Sequence, residues 1–441
     1  MSAFKSSVLA ELAWRDRIEQ LTHQELDEKL DDGCVTLYCG FDPSADSLHV
    51  GNLVPMMGLA FFLRHGHRPI ALVGGATGRI GDPSGKATER SLLSEAQIEA
   101  NLKGIHAQLQ TILARALSMH PEGVTAGDDA SAQIPIVNNH DWLGPWSFID
   151  FLREVGKHFR VNTMLAKDSV RSRLENREQG ISYTEFSYML IQGFDFYHLF
   201  TERGCALQIG GSDQWGNITA GTELIRRKSG ESAFGLTMPL LTTASGQKLG
   251  KTEKGAVWLD PERTSPYEFY QYWINRPDAD VPMLLRTFTF LSKEVIDAHV
   301  ADIEEGRNRG QVQRALAYEV TALVHGKDEA DKAIAASKML FGERIAGLSD
   351  RDLAAIFADV PSTEVERSRL EGDGVPILDL MTEVGLQASK GAARRLLKQG
   401  GGYINNERIA PETAVTLEHL ASESMLVLRA GKKNYHVIKL V

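Results

Sequence analysis

Between Val35 and Val73 the chain reads Val35-Thr-Leu-Tyr-Cys39, a polar connection Gly40 to Asn52, an apolar stretch Leu53 to Arg64 closed by Gly66, and Pro69-Ile-Ala-Leu-Val73. The first and last runs are apolar and of strand length, while the middle one has helix length and a glycine stop. Two buried strands joined by a helix make a βαβ unit, which implies a parallel sheet. The connection Gly40 to Asn52 is rich in Gly, Asp, Ser, Pro and His. Ligands of open parallel sheets bind beyond the carboxyl ends of the strands, so attention falls first on this connection.

Working outward, Gly74-Gly-Ala-Thr-Gly78-Arg-Ile-Gly81-Asp82-Pro-Ser-Gly85-Lys86 is a glycine-rich loop whose backbone can approach a ligand closely. It is no Walker A loop, because Ile80 stands where the first glycine belongs and Ala87 replaces the magnesium-holding hydroxyl. Residues 91–180 read as helices and loops that interrupt the sheet, an insertion. The sheet resumes at Ala206-Leu-Gln-Ile209, followed by Gly210 to Asn217 and a helix ending in Arg226, Arg227 and Lys228. The expected divisions are a catalytic domain over 1–243, a lysine loop over 244–266, helices over 267–341, a mixed acidic linker over 342–372 and a basic tail domain over 373–441.

The 441 residues are 43% hydrophobic and 24% charged, which excludes a disordered or low-complexity chain. The net charge of -10 conceals an asymmetry: from Ser389 onward nine Lys/Arg against four Glu leave +5. An acidic body with a basic tail implies a local contact with a polyanion. Three cysteines without metal-ligand spacing fit a reducing compartment. With neither a signal-peptide pattern nor an apolar run long enough to span a membrane, the expectation is a cytoplasmic protein with no membrane partner.

Three constellations could carry chemistry. His49-Val-Gly51-Asn52 sits at a helix start, where free amides and the helix dipole attract phosphate. On the expected helix Thr184 to Arg203, Tyr188, Gln192 and Asp195 fall within about 60° of one another, a polar stripe on an otherwise apolar helix. Such a stripe is either a buried structural network or the wall of a site for a small polar ligand. Lys248-Leu-Gly-Lys251-Thr252 places two ammonium groups and a hydroxyl in a glycine loop, suited to a moving polyphosphate. His65-x-His67, with no third ligand nearby, reads as a helix C-terminal dipole contact rather than a metal site. In the tail, Lys390, Arg394 and Lys398 repeat at helical spacing with Arg395 alongside, and Lys432-Lys433 lies in a hairpin turn.

As a set these residues resemble the bacterial-type tyrosyl-tRNA synthetases, class I aminoacyl-tRNA synthetases. The resemblance rests on Tyr38 to Asn52, on Ala71 to Gly85 and on Gln208-Ile-Gly-Gly-Ser-Asp213-Gln214-Trp-Gly-Asn217, with Lys248 to Thr252 following in the family's order. It implies an α/β architecture: a Rossmann-like parallel-sheet catalytic domain with a helical insertion, then an α-helical domain. A small C-terminal α+β RNA-binding domain would close the chain. His49 to Asn52 stands at the HIGH motif, with Asn52 in place of the second histidine, and Lys248 to Thr252 at the KMSKS motif.

The resemblance further implies that Tyr38 and Asp195 face a substrate phenol while Asp82, Tyr188 and Gln192 hold its amino end, with Gln214 near the ribose and the substrate. Gly40, Asp42, His49, Gly51, Gly211, Asp213 and Lys251 would meet ATP. The catalytic group would comprise His49, Asn52, Lys86, Arg90, Lys248, Lys251 and Thr252. Arg226, Arg227, Lys390, Arg394, Arg395, Lys398, Lys432 and Lys433 would touch tRNA. ATP would be a substrate that brings its own Mg2+, with no protein-bound metal. The expected assembly is a homodimer formed through the insertion, with Trp142, Trp146, Phe148 and Phe151 as its apolar candidates.

Overall fold

The structure, a computed structural model, describes residues 4–441 except 85–92, 125–133, 168–169, 172–173, 175–179, 245, 247–248, 253–254, 309, 341–343, 358–359 and 432–433. Lys86, Arg90, Lys248, Lys432 and Lys433 therefore lie outside the described residues, as do the side chains of Lys251 and Thr252. The chain divides into two compact units, residues 1–263 with 273–324, and residues 264–272 with 325–441.

In the first unit six strands form one sheet: β1 (Gln20–Leu21), β2 (Thr36–Phe41), β3 (Arg68–Val73), β4 (Ile136–Asn138), β5 (Cys205–Gly211) and β6 (Phe234–Met238). Their spatial order is β1-β6-β5-β2-β3-β4. All neighbours are parallel except β1, which runs antiparallel to β6. The βαβ unit is present, with β2 paired to β3 from Thr36 opposite Arg68 to Phe41 opposite Val73, and the connecting helix over Val50–Arg64. From β2 the chain moves to β3 and β4 on one side, and from β5 to β6 on the other. The order therefore reverses between β2 and β5, and a crevice opens at their carboxyl ends.

Two sequence expectations need correction here. Residues 91–180 are not wholly an insertion, because Ile136–Asn138 forms the edge strand of the main sheet and the long helix Glu95–Ser118 is its crossover. Three residues at a sheet edge are too short to show a strand period. Among the described residues, the segment between β4 and the helix Tyr183–Arg203 contributes neither a strand nor a crossover helix to the sheet. That segment exposes Phe148, Ile149, Val161 and Leu165, and Tyr183 at the start of the following helix is exposed too.

The second correction concerns 342–372, expected as a linker. Ser362–Val365 pairs in parallel with the strand Asn434–Leu440 and completes a five-stranded sheet. Leu353, Ile356 and Phe357 pack into the same core as Tyr267, Val427 and Val437. The acidic composition misled because the strand shows one side to solvent, burying only Val365. Helices appear over 267–341, yet they form no separate domain: 273–324 group with the first unit and 325–340 with the second. On the other face of the tail sheet, Ile377, Leu380, Met381, Ala393 and Leu397 from two short helices meet Leu426, Leu428 and Ile438.

Candidate functional site

A cavity of about 790 Å³ lies at the reversal point. β2 contributes Tyr38 to Phe41, β5 contributes Gln208 to Gly211, and the helix start after β2 contributes His49, Gly51 and Asn52. The helix Tyr183–Arg203 supplies Tyr188, Gln192 and Asp195, so the stripe seen in sequence faces one space. Asp42, Asp82, Asp213 and Gln214 complete most of the polar lining, with Leu249 and Gly250 across from them.

Deep in the cavity, Tyr38 is 1% exposed and its hydroxyl has no hydrogen-bond partner among the described residues. Burial, reinforced by the nearby Asp195 carboxylate, pushes this phenol well above its ordinary range. Asp195 is equally buried, and burial pushes it up to about 7 against the pull of two donors. Those donors are Asn139 Nδ2 at 2.9 Å and Trp142 Nε1 at 2.8 Å. Asn139 also donates to Thr77 Oγ1, whose hydroxyl donates in turn to Asp42 Oδ1 at 2.8 Å. The Tyr188 hydroxyl donates to the other Asp42 oxygen at 3.0 Å. Asp42, expected against ATP, is thus tied to the substrate-stripe network.

A second polar group lies around Gln214. Its Nε2 donates to Asp82 Oδ2 at 2.7 Å, and its Oε1 accepts from Asn217 at 3.1 Å and from Gln192 at 3.4 Å. The buried Gln192 Oε1 is left without a partner among the described residues. The result is a ring of acceptors, Asp82, Gln192 Oε1 and the Tyr188 oxygen, suited to an ammonium group.

At the helix start the expectation of free amides fails. Val50 N donates to Val257 O at 2.9 Å, Gly51 N to His49 Nδ1 at 3.0 Å and Asn52 N to His49 O at 2.8 Å. His49 N donates to Asn52 Oδ1, closing a capping box. Sequence spacing locates a helix start but cannot tell that its own first residue will cap it. In this cap Nδ1 of His49 is the acceptor for Gly51 N–H, and the Asn52 side-chain carbonyl is the acceptor for His49 N–H. A methyl group on Gly51 would sit 2.8 Å from His49 Cε1, so this glycine makes room for the imidazole.

The glycines of the loop after β3 serve a similar internal purpose. A Cβ at Gly74 would lie 2.2 Å from Asp42 Oδ1, and one at Gly75 would lie 2.1 Å from Asn138 Oδ1. They admit protein side chains. Of the residues missed in sequence, Asn139 follows a three-residue strand and Trp142 lies in a single-turn helix, so neither carried a periodic signal. Trp142, an expected apolar candidate for a contact between subunits, stacks on His198 at 4.5 Å and bonds Asp195 within the chain. Cys39, also missed, lines the cavity from β2.

Arg226 and Arg227 both bond Glu223, and Arg227 also donates to His158 O, so one carboxylate is shared by two guanidinium groups. In the tail unit, the helix Lys390–Lys398 buries Ala393 and Leu397 and exposes Lys390, Arg394, Arg395 and Lys398. Ser389 caps it. Among the described residues no group of three or more His, Cys, Asp or Glu could hold a metal ion, and no helix is long and apolar enough to cross a membrane.

The family model described as tRNA synthetases class I (W and Y) matches residues 31–342. A second, the tyrosine–tRNA ligase SYY-like C-terminal domain, matches 352–438. A tyrosine–tRNA ligase of Roseiflexus castenholzii is 51% identical over 437 residues, 99% of this chain and all of that one. One from Bacillus caldotenax is 50% identical over 435 residues, covering 98% and 99%. Among solved structures, a C-terminally truncated mitochondrial tyrosyl-tRNA synthetase of Aspergillus nidulans superposes with TM-score 0.68 at 33% identity, over 76% of this chain and 94% of that one.

Proposed function

The chain belongs to the class I tyrosine–tRNA ligases, enzymes that join tyrosine to tRNA with ATP, and on that premise we propose how its residues divide the work. Tyr38 and Asp195 receive the phenol of tyrosine. The observation that carries this reading is the orphaned Tyr38 hydroxyl beside a buried carboxylate, since a buried hydroxyl without a partner costs about 1–3 kcal/mol that a ligand hydroxyl recovers. Asp82, Tyr188 and Gln192 receive the ammonium group, with Gln214 holding Asp82. Asp42 acts behind Tyr188 rather than on the nucleotide.

The tyrosine carboxylate is already a nucleophile, so no protein base is required. Its oxygen attacks the α-phosphorus of ATP in line, and pyrophosphate leaves. Gly40, Gly51, Gly211 and Asp213 line the nucleotide's part of the cavity. His49 and Asn52 meet the developing charge together with Lys251, Thr252, Lys248, Lys86 and Arg90. Mg2+ arrives with ATP. A terminal ribose hydroxyl of the tRNA then attacks the tyrosyl carbonyl carbon and AMP departs. The exposed basic face Lys390, Arg394, Arg395 and Lys398, with Lys432 and Lys433, holds the tRNA. Arg226 and Arg227, two guanidinium groups against the single carboxylate of Glu223, touch tRNA as well. Two copies associate through the exposed apolar residues of 148–183, and the enzyme works in the cytoplasm.

The test is Tyr38→Phe with two readouts. Removing an unsatisfied buried hydroxyl leaves thermal stability equal or higher, while the preference for tyrosine over phenylalanine in ATP–pyrophosphate exchange falls. An unchanged ratio of kcat/KM values would take Tyr38 out of the phenol site.

A further inference from the structure

Residues 257–263 follow the lysine loop and run alongside the helix start. Val50 N donates to Val257 O at 2.9 Å and Leu259 N to Leu48 O at 2.8 Å, so His49 and Trp258 face each other as an antiparallel bridge. Asp260 N donates to Ser47 Oγ at 3.1 Å, and Arg263 Nη1 reaches Asp46 Oδ1 at 2.6 Å. The Trp258 ring lies 6.1 Å from the His49 imidazole between centroids, and the Arg263 guanidinium stands 3.7 Å from the centre of its indole. Upstream, Val257 N donates to Gly250 O at 3.0 Å, and Lys251 pairs with Ala256 in a two-stranded ribbon. Gly250, at φ +83°, approaches so closely that a Cβ there would lie 3.1 Å from Gly51 N.

The backbone carrying Lys251 is thus joined to His49 at both ends of a short path. At one end Gly250 rests on Gly51; at the other Trp258 fills the space between His49 and Arg263. The backbone bonds set which residues face each other, and on the side-chain side of the bridge a flat ring lies between His49 and a guanidinium group.

We propose that Trp258, held by the Arg263–Asp46 pair, is a positioning residue that packs the lysine ribbon firmly against His49 for the activation step. It touches no reacting atom in this reading and acts through Lys251, so the inference rests on the role given to that lysine above. A misplacement of about 1 Å at a reacting centre costs on the order of 100-fold in rate, which is the scale expected for losing the clamp.

The experiment is tyrosine-dependent ATP–pyrophosphate exchange on the full chain, with tyrosine affinity measured separately by equilibrium binding. Trp258→Leu should lower kcat by about 10- to 100-fold and leave tyrosine affinity within about twofold, and Trp258→Phe should restore most of the rate. Combined with Lys251→Ala, Trp258→Leu should add little further loss, because both changes remove one interaction. Losses that multiply, an unchanged rate, or tyrosine affinity falling in parallel would each overturn the proposal. Should Trp258→Leu not fold, Arg263→Ala at an exposed position removes the stack and the ion pair, and the same non-additivity with Lys251→Ala is required. Normal exchange by Lys251→Ala alone would instead bring down the reading of the loop, and the clamp with it.

Discussion

Asp195 shows how one side chain can be held ready by neighbours that no motif contains. Burial raises it to about 7, while the N–H groups of Asn139 and Trp142 favour its charged form. An ionised carboxylate is the stronger acceptor for a phenol hydroxyl. The preference for tyrosine over phenylalanine should therefore climb as pH rises through about 7 and level off above it. Asn139→Ala removes a donor to the carboxylate, so the climb should move to higher pH; relative kcat/KM values across a pH series check both, and a flat ratio would count against them. The same shift marks stability. An unfolded aspartate titrates near 3.9, so the folded state holds the extra proton between about 4 and 7 and stability declines as pH rises through that window. Asp195→Asn should flatten the decline in denaturant titrations. The Tyr188, Gln192 and Asp195 stripe was legible because a helix has a period. Asn139 and Trp142 were not, since they lie after an edge strand and in a single turn, where position in space owes nothing to spacing in sequence.

Elements explain why the helix start after β2 reads so well and yet was read only in part. Its place followed from the βαβ pattern, which sets a connection at the carboxyl end of a parallel strand whatever the residues do. Its internal bonding did not follow, because a histidine N-cap competes with any ligand for the same amide. Gly51→Ala should press on the imidazole and lower exchange by about 10-fold or more, with tyrosine affinity intact. Retained exchange would show that the ring can shift without cost. Short edge strands were the other blind spot: β4 and the strand at 362–365 each have four residues or fewer, and each completes a sheet.

For the molecule as a whole, the asymmetry of charge and the exposed apolar segment make separate predictions. Arg394→Ala with Arg395→Ala should raise KM for tRNA and leave ATP–pyrophosphate exchange untouched. It should also make the salt dependence of tRNA binding shallower, by about 0.7–0.9 in log–log slope for each phosphate that the variant no longer neutralises. Loss of exchange would reveal a structural role for that helix instead. Phe148→Glu with Ile149→Glu places charges on side chains that are 63% and 69% exposed, so it should spare the fold. If two copies meet there, sedimentation will show the variant as a monomer where the unaltered chain is a dimer. Identical sedimentation would put the interface elsewhere. The basic tail and the division of charge were plain from composition, whereas the interleaving of the two units, with 264–272 belonging to the later one, depends on residues that meet from far apart in sequence.

The closed cap at the helix start carries a consequence for life in a cell full of competing anions. An uncapped start would bind orthophosphate or sulfate whenever the nucleotide was absent, and each such guest would have to be evicted before a turnover. Here Val50, Gly51 and Asn52 have already committed their amides to the chain itself. Small inorganic anions therefore find no free amide at Val50, Gly51 or Asn52, and a nucleotide entering beside them has no such guest to displace from those three groups.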